Sequence, residues 1–343
     1  MNMQGNCRTT AMGILPHTNI EEAIDLALTL DIPFWPQLPH HSYYEDMYVQ
    51  VSENFPGIFV DTVQKRITLN TARFYEELEE YALKSDDDRI FKLSPQYSAA
   101  FDAFMARDLS GYEIIRGQSI GPVSFGLKIV DENLKPIIYQ DDIRGFLYDF
   151  IAKKTSMQYR QLAEKHPNTF VWLDEPGLEI IFGSFTGYSS GRAKKDFGDF
   201  LAGIEGPKGV HLCGNPDWSF LLSGIGLEIL SIDAYGCGEI FTRYSEEVRA
   251  FLDAGNIISW GIVPTLTDEL GRESVEKLAL RLEGLWSNLV GRGTSLKQIL
   301  KQAWLAPARC CLINADGHAT VERAYSTLKE VAAVLRDKYD LGD

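Results

Sequence analysis

The sequence predicts a (β/α)8 TIM barrel, in which eight parallel strands alternate with helices. Short apolar runs alternate with segments of helical periodicity, which is typical of a parallel sheet. Eight such runs can be distinguished, and a chain of 343 residues suits a barrel that carries insertions. No glycine-rich dinucleotide or phosphate motif follows the first run, and this disfavours the alternative, an open doubly wound sheet.

Each predicted strand ends near Gly, Pro or a reactive polar residue and is followed by a helical segment. The strands are predicted at residues 11–15, 33–38, 118–125, 169–174, 209–213, 229–233, 256–263 and 303–310. The longest helix is predicted over residues 141–166, ending before Pro167, and Asn19 or Thr18 is expected to cap the first helix. Because no Pro- or Ser-rich linker divides the chain, residues 1–343 are expected to form a single domain.

Residues 41–116, between the second and third predicted strands, are too many for a simple strand–helix unit. They contain an apparent hairpin, GIFVDTVQKRITLN, and at least two helical patterns. We therefore expect an α+β insertion that packs beside or over the barrel mouth.

Composition excludes several classes of protein. With 33 Lys and Arg against 48 Asp and Glu, the net charge is −15, which argues against a nucleic-acid surface. No apolar stretch is long enough to span a membrane, and the N-terminus has no signal-peptide pattern. The five cysteines are irregularly spaced and do not predict a disulfide framework. A cytoplasmic location, with free thiols, is the expectation.

The ends of the predicted strands supply a set of zinc-binding side chains. His211 and Cys213 alternate along the fifth strand, so both can face one ion, and Cys310 ends the eighth strand. Imidazole and thiolate are preferred zinc ligands, and three protein ligands with one exchangeable position are typical of a catalytic zinc. The open alternative is a buried histidine near an inert core cysteine.

Other polar residues at strand ends are candidates for substrate contacts. Asp174 and Glu175 follow the fourth strand and could bind an amine or act as an acid or base, or could cap a helix or form a salt bridge. Ser124 lies beside the Gly121–Pro122 turn, and Gln37 ends the second strand. Asp233, which ends the sixth strand, could complete the metal site in place of water or a substrate thiol.

Several motifs together resemble the catalytic half of cobalamin-independent methionine synthase, and more closely the short, single-domain members of that superfamily. The resemblance spans nearly the whole chain. Its motifs are MGILPHT (12–18), QSIGPVS (118–124), LDEPGL (173–178), HLCGNPDW (211–218), LSIDAYG (230–236) and ARCCL (308–312). The related uroporphyrinogen decarboxylase barrels share the architecture.

The resemblance implies a role for each matching residue. Zinc would be surrounded by four of them: His211, Cys213, Asp233 and Cys310. Asp233 stands where the family has Glu, and Cys311 follows Cys310 where the family often has Gly.

The same resemblance implies how an amino-acid thiol such as homocysteine would bind. Asp174, with Glu175 beside it, would bind the amino group. The backbone around Gly13 would bind the carboxylate, although Ile14 replaces the family's Ser.

The implied activity is zinc-dependent methyl transfer to a thiol, with homocysteine giving methionine. Long members of the family have an additional N-terminal barrel for folate, which a chain of 343 residues does not accommodate. The expected donor is therefore a methylated corrinoid, free or bound to a corrinoid protein. A uroporphyrinogen decarboxylase-like enzyme and a corrinoid-dependent methyltransferase acting on another thiol are the alternatives.

Overall fold

The computed structural model describes residues 3–181 and 188–342. The strands of this part of the chain are β1 Arg8–Thr9, β2 Ile58–Asp61, β3 Arg66–Leu69, β4 Ile115–Ile120, β5 Thr169–Asp174, β6 Lys208–Leu212, β7 Ile229–Ile232, β8 Ile257–Val263 and β9 Ala303–Pro307. Seven of them form one parallel sheet in the order β1-β9-β8-β7-β6-β5-β4, and β2 pairs with β3 in a separate antiparallel hairpin.

The sheet curls into a barrel that closes through residues 33–37. Phe34 forms a parallel bridge to Arg116 of β4, and Gln37 forms one to Ile14, just beyond β1. The amide nitrogen of Gln37 donates to the carbonyl oxygen of Gly13 at 2.7 Å. Residues 33–37 thus occupy the eighth strand position, and the α/β barrel predicted from the sequence is confirmed.

Helices surround the sheet. They are α1 Ile20–Ala27, α2 Met47–Ser52, α3 Thr71–Lys84, α4 Ala99–Met105, α5 Pro122–Lys128, α6 Asp141–Lys165, α7 Leu178–Ile181, α8 Ser190–Gly203, α9 Trp218–Leu222, α10 Ala234–Phe241, α11 Ser245–Asp253, α12 Thr267–Leu270, α13 Val275–Val290, α14 Leu296–Lys301 and α15 Ala319–Tyr339. Short 3-10 helices occur at Tyr43–Glu45, Asp88–Phe91 and Ile137–Tyr139. Within the described ranges, no helix combines the length and apolarity that crossing a bilayer requires.

Two predicted strands begin and end elsewhere in the structure. The third was predicted at 118–125, but β4 ends at Ile120 and helix α5 begins at Pro122. Proline suits the first turn of a helix, where its missing N–H is not needed. The first was predicted at 11–15, whereas the regular pairing with β9 involves Arg8 and Thr9. The bounds predicted for β5, 169–174, are those observed.

The barrel interior is apolar at one end and polar at the other. A buried cluster of Ile32, Ile114, Phe170, Trp172, Ile229, Ile257 and Trp304 fills the amino-terminal end. Phe170 stacks on Trp304, with ring centroids 5.5 Å apart. Polar side chains are therefore concentrated at the carboxyl ends of the strands, where barrel enzymes place their sites.

The segment 41–116 contains the predicted hairpin and several helices. Ile58 pairs with Leu69 and Asp61 with Arg66 across the hairpin. Helix α2 is linked to the barrel because the Nε2 of Gln37 donates to the Oε1 of Gln50 at 2.7 Å. The Nζ of Lys154, in α6, donates to the carbonyl oxygen of Gln50 at 3.3 Å. These contacts join α2 to the barrel near the carboxyl end of the 33–37 segment.

Candidate active site

His211 lies on β6, with Asp174 of β5 and Ser231 of β7 as its register partners. The imidazole is buried, stacks on Trp172 at a centroid distance of 5.6 Å, and has its Nδ1 3.0 Å from the Oγ of Ser231. Burial lowers the pKa of His211 to about 3, and the positive charge of Arg116 acts in the same direction. The ring is therefore neutral at physiological pH and is oriented by Ser231, as a metal-binding histidine requires.

Cys213 follows the end of β6 and Cys310 follows the end of β9, and both side chains are partly exposed. Burial raises the pKa of Cys213 to about 11, and the carboxylates of Asp174 and Asp233 contribute. Burial raises the pKa of Cys310 to about 12, and Asp174 and Cys213 contribute. The charge of Asp174 thus acts on both thiols, which follow strand ends at the same mouth of the barrel. The adjacent Cys311 is buried in the main hydrophobic core.

Asp174 ends β5 and is buried, as is its electrostatic partner Arg116. Burial raises the pKa of Asp174 to about 7, against the opposing charge of Arg116. Arg116 lies inside the barrel, its guanidinium 3.8 Å from the ring centroid of Trp172, and its Nε donates to the Oγ1 of Thr10. The Oδ1 of Asp174 and the Nη2 of Arg116 have no hydrogen-bond partner in the described ranges. Asp174 therefore retains an acceptor for a ligand.

Glu175, by contrast, has its acceptors engaged by the start of α5. Its carboxylate accepts from the amides of Val123 (2.9 Å) and Ser124 (2.8 Å) and from the Oγ of Ser124 (2.6 Å). The Oγ of Ser124 also accepts from the amide of Gly177 at 2.8 Å. Burial raises the pKa of Glu175 to about 7, although the three donors limit this rise. Glu175 and Ser124 thus join the β5 end to α5.

Replacing Glu175 with Gln is expected to lower the free energy of unfolding by about 2 kcal/mol near pH 5.5, and by much less near pH 8. The folded pKa of about 7 lies above the ordinary value of 4.5, so the proton-linked stabilisation is complete below 4.5 and is lost as pH rises through 7. Glutamine has no such titration. Urea unfolding at both pH values measures the difference, with the exposed Glu179→Gln as control. A destabilisation that grows with pH would show instead that the donors hold Glu175 ionised.

Asp233, predicted as a fourth metal ligand, begins α10. Its Oδ1 accepts from the amide of Gly236 at 2.7 Å, and its Oδ2 lies 3.7 Å from the Nη2 of Arg309. Burial raises its pKa, and these two contacts oppose the rise. Asp233 therefore caps α10. Its carboxylate also raises the pKa of Cys213.

Gly13 and Gln37 meet at the closure of the barrel. A Cβ atom on Gly13 would lie 2.2 Å from the side-chain Cδ of Gln118, so only glycine fits there. The Oε1 of Gln37 is buried and accepts no hydrogen bond from the described residues. It is a free acceptor at the end of the second strand position.

Three site residues could not be identified from the sequence: Arg116, Tyr48 and Tyr325. Burial raises the pKa of Tyr48, as do the carboxylates of Glu175, Asp46 and Asp174 and the thiol of Cys310. Burial also raises the pKa of Tyr325, on whose hydroxyl Arg116 and Cys310 act. Both tyrosines lie on helices that no strand-end pattern marks. The one signal in the sequence was the charge of Arg116, which lies within a strand whose residues are all buried.

The donor types at this site are those of a zinc centre. In residues 3–181 and 188–342, however, no three His, Cys, Asp or Glu side chains converge closely enough to hold a metal ion as they stand. His211 offers Nε2, which makes no hydrogen bond to the described residues; Cys213 follows the end of β6, the strand of His211, and Cys310 follows the end of β9. Cysteine reorients by rotation about one bond, so a change of rotamer could bring the thiols towards the imidazole.

Comparison with known proteins gives the same architecture. No family model matches the sequence, and no curated protein matches it. The chain is similar in structure to a methyltransferase from Methanosarcina mazei, with a TM-score of 0.59 and 14% identity over 99% of this chain and 95% of that one. It is also similar to a B12-independent methionine synthase from Shewanella sp. W3-18-1, solved with selenomethionine, with a TM-score of 0.52 and 13% identity over 94% and 89%. The likeness confirms that the chain shares the barrel fold of these two proteins.

Proposed function

We propose that this protein is a zinc-dependent methyltransferase that moves a methyl group from a methylated corrinoid to the thiol of an amino acid, homocysteine. One observation carries the proposal: the thiols of Cys213 and Cys310 lie with the buried carboxylate of Asp174 at the carboxyl end of the barrel, beside His211. The similarity of the fold to two methyl-transferring proteins supports it.

His211, Cys213 and Cys310 are the residues that would hold the zinc, with Asp233 as a possible fourth ligand. The raised pKa values of the two thiols mean that they are protonated at neutral pH. A cation bound beside them would favour their ionised forms, which are the ones that coordinate zinc. Bound there, zinc would supply the positive charge that keeps a substrate thiol deprotonated at neutral pH.

The protein's own residues would orient the acceptor. Asp174 would accept hydrogen bonds from the acceptor's ammonium through its free Oδ1, and Arg116 would stabilise Asp174 in its ionised form. Tyr48 would donate a hydrogen bond to the acceptor. Its hydroxyl is neutral because its pKa is raised. The backbone near Gly13 and the free Oε1 of Gln37 would line the remaining wall.

The transfer itself needs no oxidant or reductant beyond the two substrates. A carbon–sulfur bond forms as the carbon–cobalt bond of the donor breaks, and its electron pair stays on cobalt. The thiol proton is released to solvent. The chain's contribution is alignment of sulfur and methyl group and exclusion of water, effects that can supply much of the rate.

The test is an assay of the purified protein with methylcobalamin and homocysteine, in which methionine is measured by mass spectrometry. Metal content is measured on the same sample. We expect methionine formation that is lost with a zinc chelator and restored by zinc. Parallel reactions with methyltetrahydrofolate as donor, and with 2-mercaptoethanesulfonate as acceptor, test the donor and acceptor. Transfer that survives complete removal of metal would overturn the zinc mechanism.

A further inference from the structure

A cavity lies between the 43–48 segment, the β2–β3 hairpin and the end of α5. Its volume is about 380 Å³, and Tyr43 and Tyr48 form part of its wall. The buried side chains of Ile67 and Ile129 provide an apolar floor. The cavity is thus large enough for a small ligand group and has both polar and apolar walls.

Cationic side chains outnumber acidic ones in the lining of this cavity, which we call the basic pocket. Lys65 and Arg66 belong to the hairpin, and Lys128 is the last residue of α5. None of the three forms an ion pair with a residue of the described ranges. The one acidic lining residue, Asp46, accepts from the amide of Tyr48 at 2.9 Å and so caps α2. Asp46 interacts electrostatically with Lys128 and Lys65. Three cations against one carboxylate leave the lining with a net positive charge on a chain of net charge −15, which favours an anion.

Tyr48 connects the basic pocket to the active site. Its ring stacks on Phe125, with centroids 6.5 Å apart and planes at 19°. Phe125 directly follows Ser124, whose hydroxyl bonds to Glu175 at the end of β5. The Tyr48 hydroxyl is also under the influence of the Asp174 and Cys310 charges. Tyr48 thus lines the pocket and also interacts electrostatically with groups of the candidate active site.

We propose that the basic pocket, formed by Lys65, Arg66, Lys128, Tyr43 and Tyr48, binds the phosphate group of a reactant whose other end enters the active site. Naming that reactant rests on the proposed function: the anion is the phosphate of the methyl donor, because the carboxylate of homocysteine is on the same carbon as the ammonium assigned to Asp174 and stays with it in the active site. Tyr48 then lies between the anchored phosphate and the methyl-transfer centre.

Binding of inorganic pyrophosphate, measured by calorimetry, tests the pocket without any turnover. The variant is Lys65→Gln/Arg66→Gln/Lys128→Gln, which removes the charges from exposed side chains of similar length. We expect the Kd to rise at least about tenfold in the variant, and wild-type binding to weaken with salt. Lys297→Gln, an exposed lysine on α14, is the control and should bind as wild type. Equal pyrophosphate binding by the wild type and the triple variant would overturn the proposal.

Kinetics then identify the source of the anion. Methylcobinamide lacks the nucleotide phosphate of methylcobalamin, and 3-aminopropanethiol lacks the carboxylate of homocysteine. If the pocket holds the donor phosphate, the triple substitution removes the KM preference for methylcobalamin over methylcobinamide. Loss of the preference for homocysteine over 3-aminopropanethiol instead would place the acceptor carboxylate in the pocket and overturn the assignment to the donor. Loss of neither preference would refute the assignment to a reactant. Absence of methyl transfer in the wild type would defeat the proposed function. The pyrophosphate measurement would still show whether the basic pocket binds an anion.

Discussion

His211→Ala and Cys310→Ser are each expected to reduce bound zinc from about one per chain to a small fraction, and methyl transfer by more than about 100-fold. Each substitution removes one of three proposed protein ligands, and two remaining ligands do not provide the usual coordination of a catalytic zinc. The measurements are metal content by elemental analysis after dialysis and the rate of methionine formation. The zinc readout does not depend on the choice of substrates.

Two further variants make this test specific. Cys311→Ala removes the neighbouring thiol, which is buried in the hydrophobic core, and should leave zinc content unchanged. Ser231→Ala removes the partner of the His211 Nδ1, 3.0 Å away, and should weaken zinc binding by roughly 10–100-fold. Full zinc content in both His211→Ala and Cys310→Ser would place the metal elsewhere or show that none is bound.

The sequence predicted the architecture and the polar strand ends for a simple physical reason. Strands covered on both faces are continuously apolar, so a polar residue that ends such a run marks the mouth of the barrel. This logic located Asp174, His211 and Cys213 without knowledge of the fold. Adjacent residues of an extended segment face opposite sides, and accordingly Cys311 is buried in the core whereas Cys310 is partly exposed.

The same logic could not find residues that reach the site from outside the strand ends. Tyr48 belongs to the 41–116 segment, and its approach to Asp174 depends on how α2 packs against the barrel. Nor could periodicity separate the roles of Asp174 and Glu175. Asp174 has a buried oxygen without a partner, whereas Glu175 accepts hydrogen bonds from the start of α5. This difference is set by the turn at Pro122.

Asp174→Asn is expected to lower kcat/KM for homocysteine by roughly 10–100-fold, the usual contribution of a hydrogen bond to a charged group. The proposed role of Asp174 is to bind the acceptor's ammonium, so the loss should depend on that group. 4-Mercaptobutyrate is homocysteine without its amine. The wild type should therefore prefer homocysteine, and the variant should show little or no preference between the two thiols.

The ratio of the two thiols separates recognition from structural damage. Asparagine leaves the buried guanidinium of Arg116 without its neighbouring carboxylate, so some loss of stability is expected and should be followed by thermal unfolding. Such damage lowers the rate with both thiols equally. If the variant loses the preference for the amine and retains zinc, ammonium binding is assigned to Asp174. The substitution removes the negative charge of the carboxylate whose Oδ1 has no partner. An equal loss for both thiols would restrict Asp174 to stabilising the charge of Arg116.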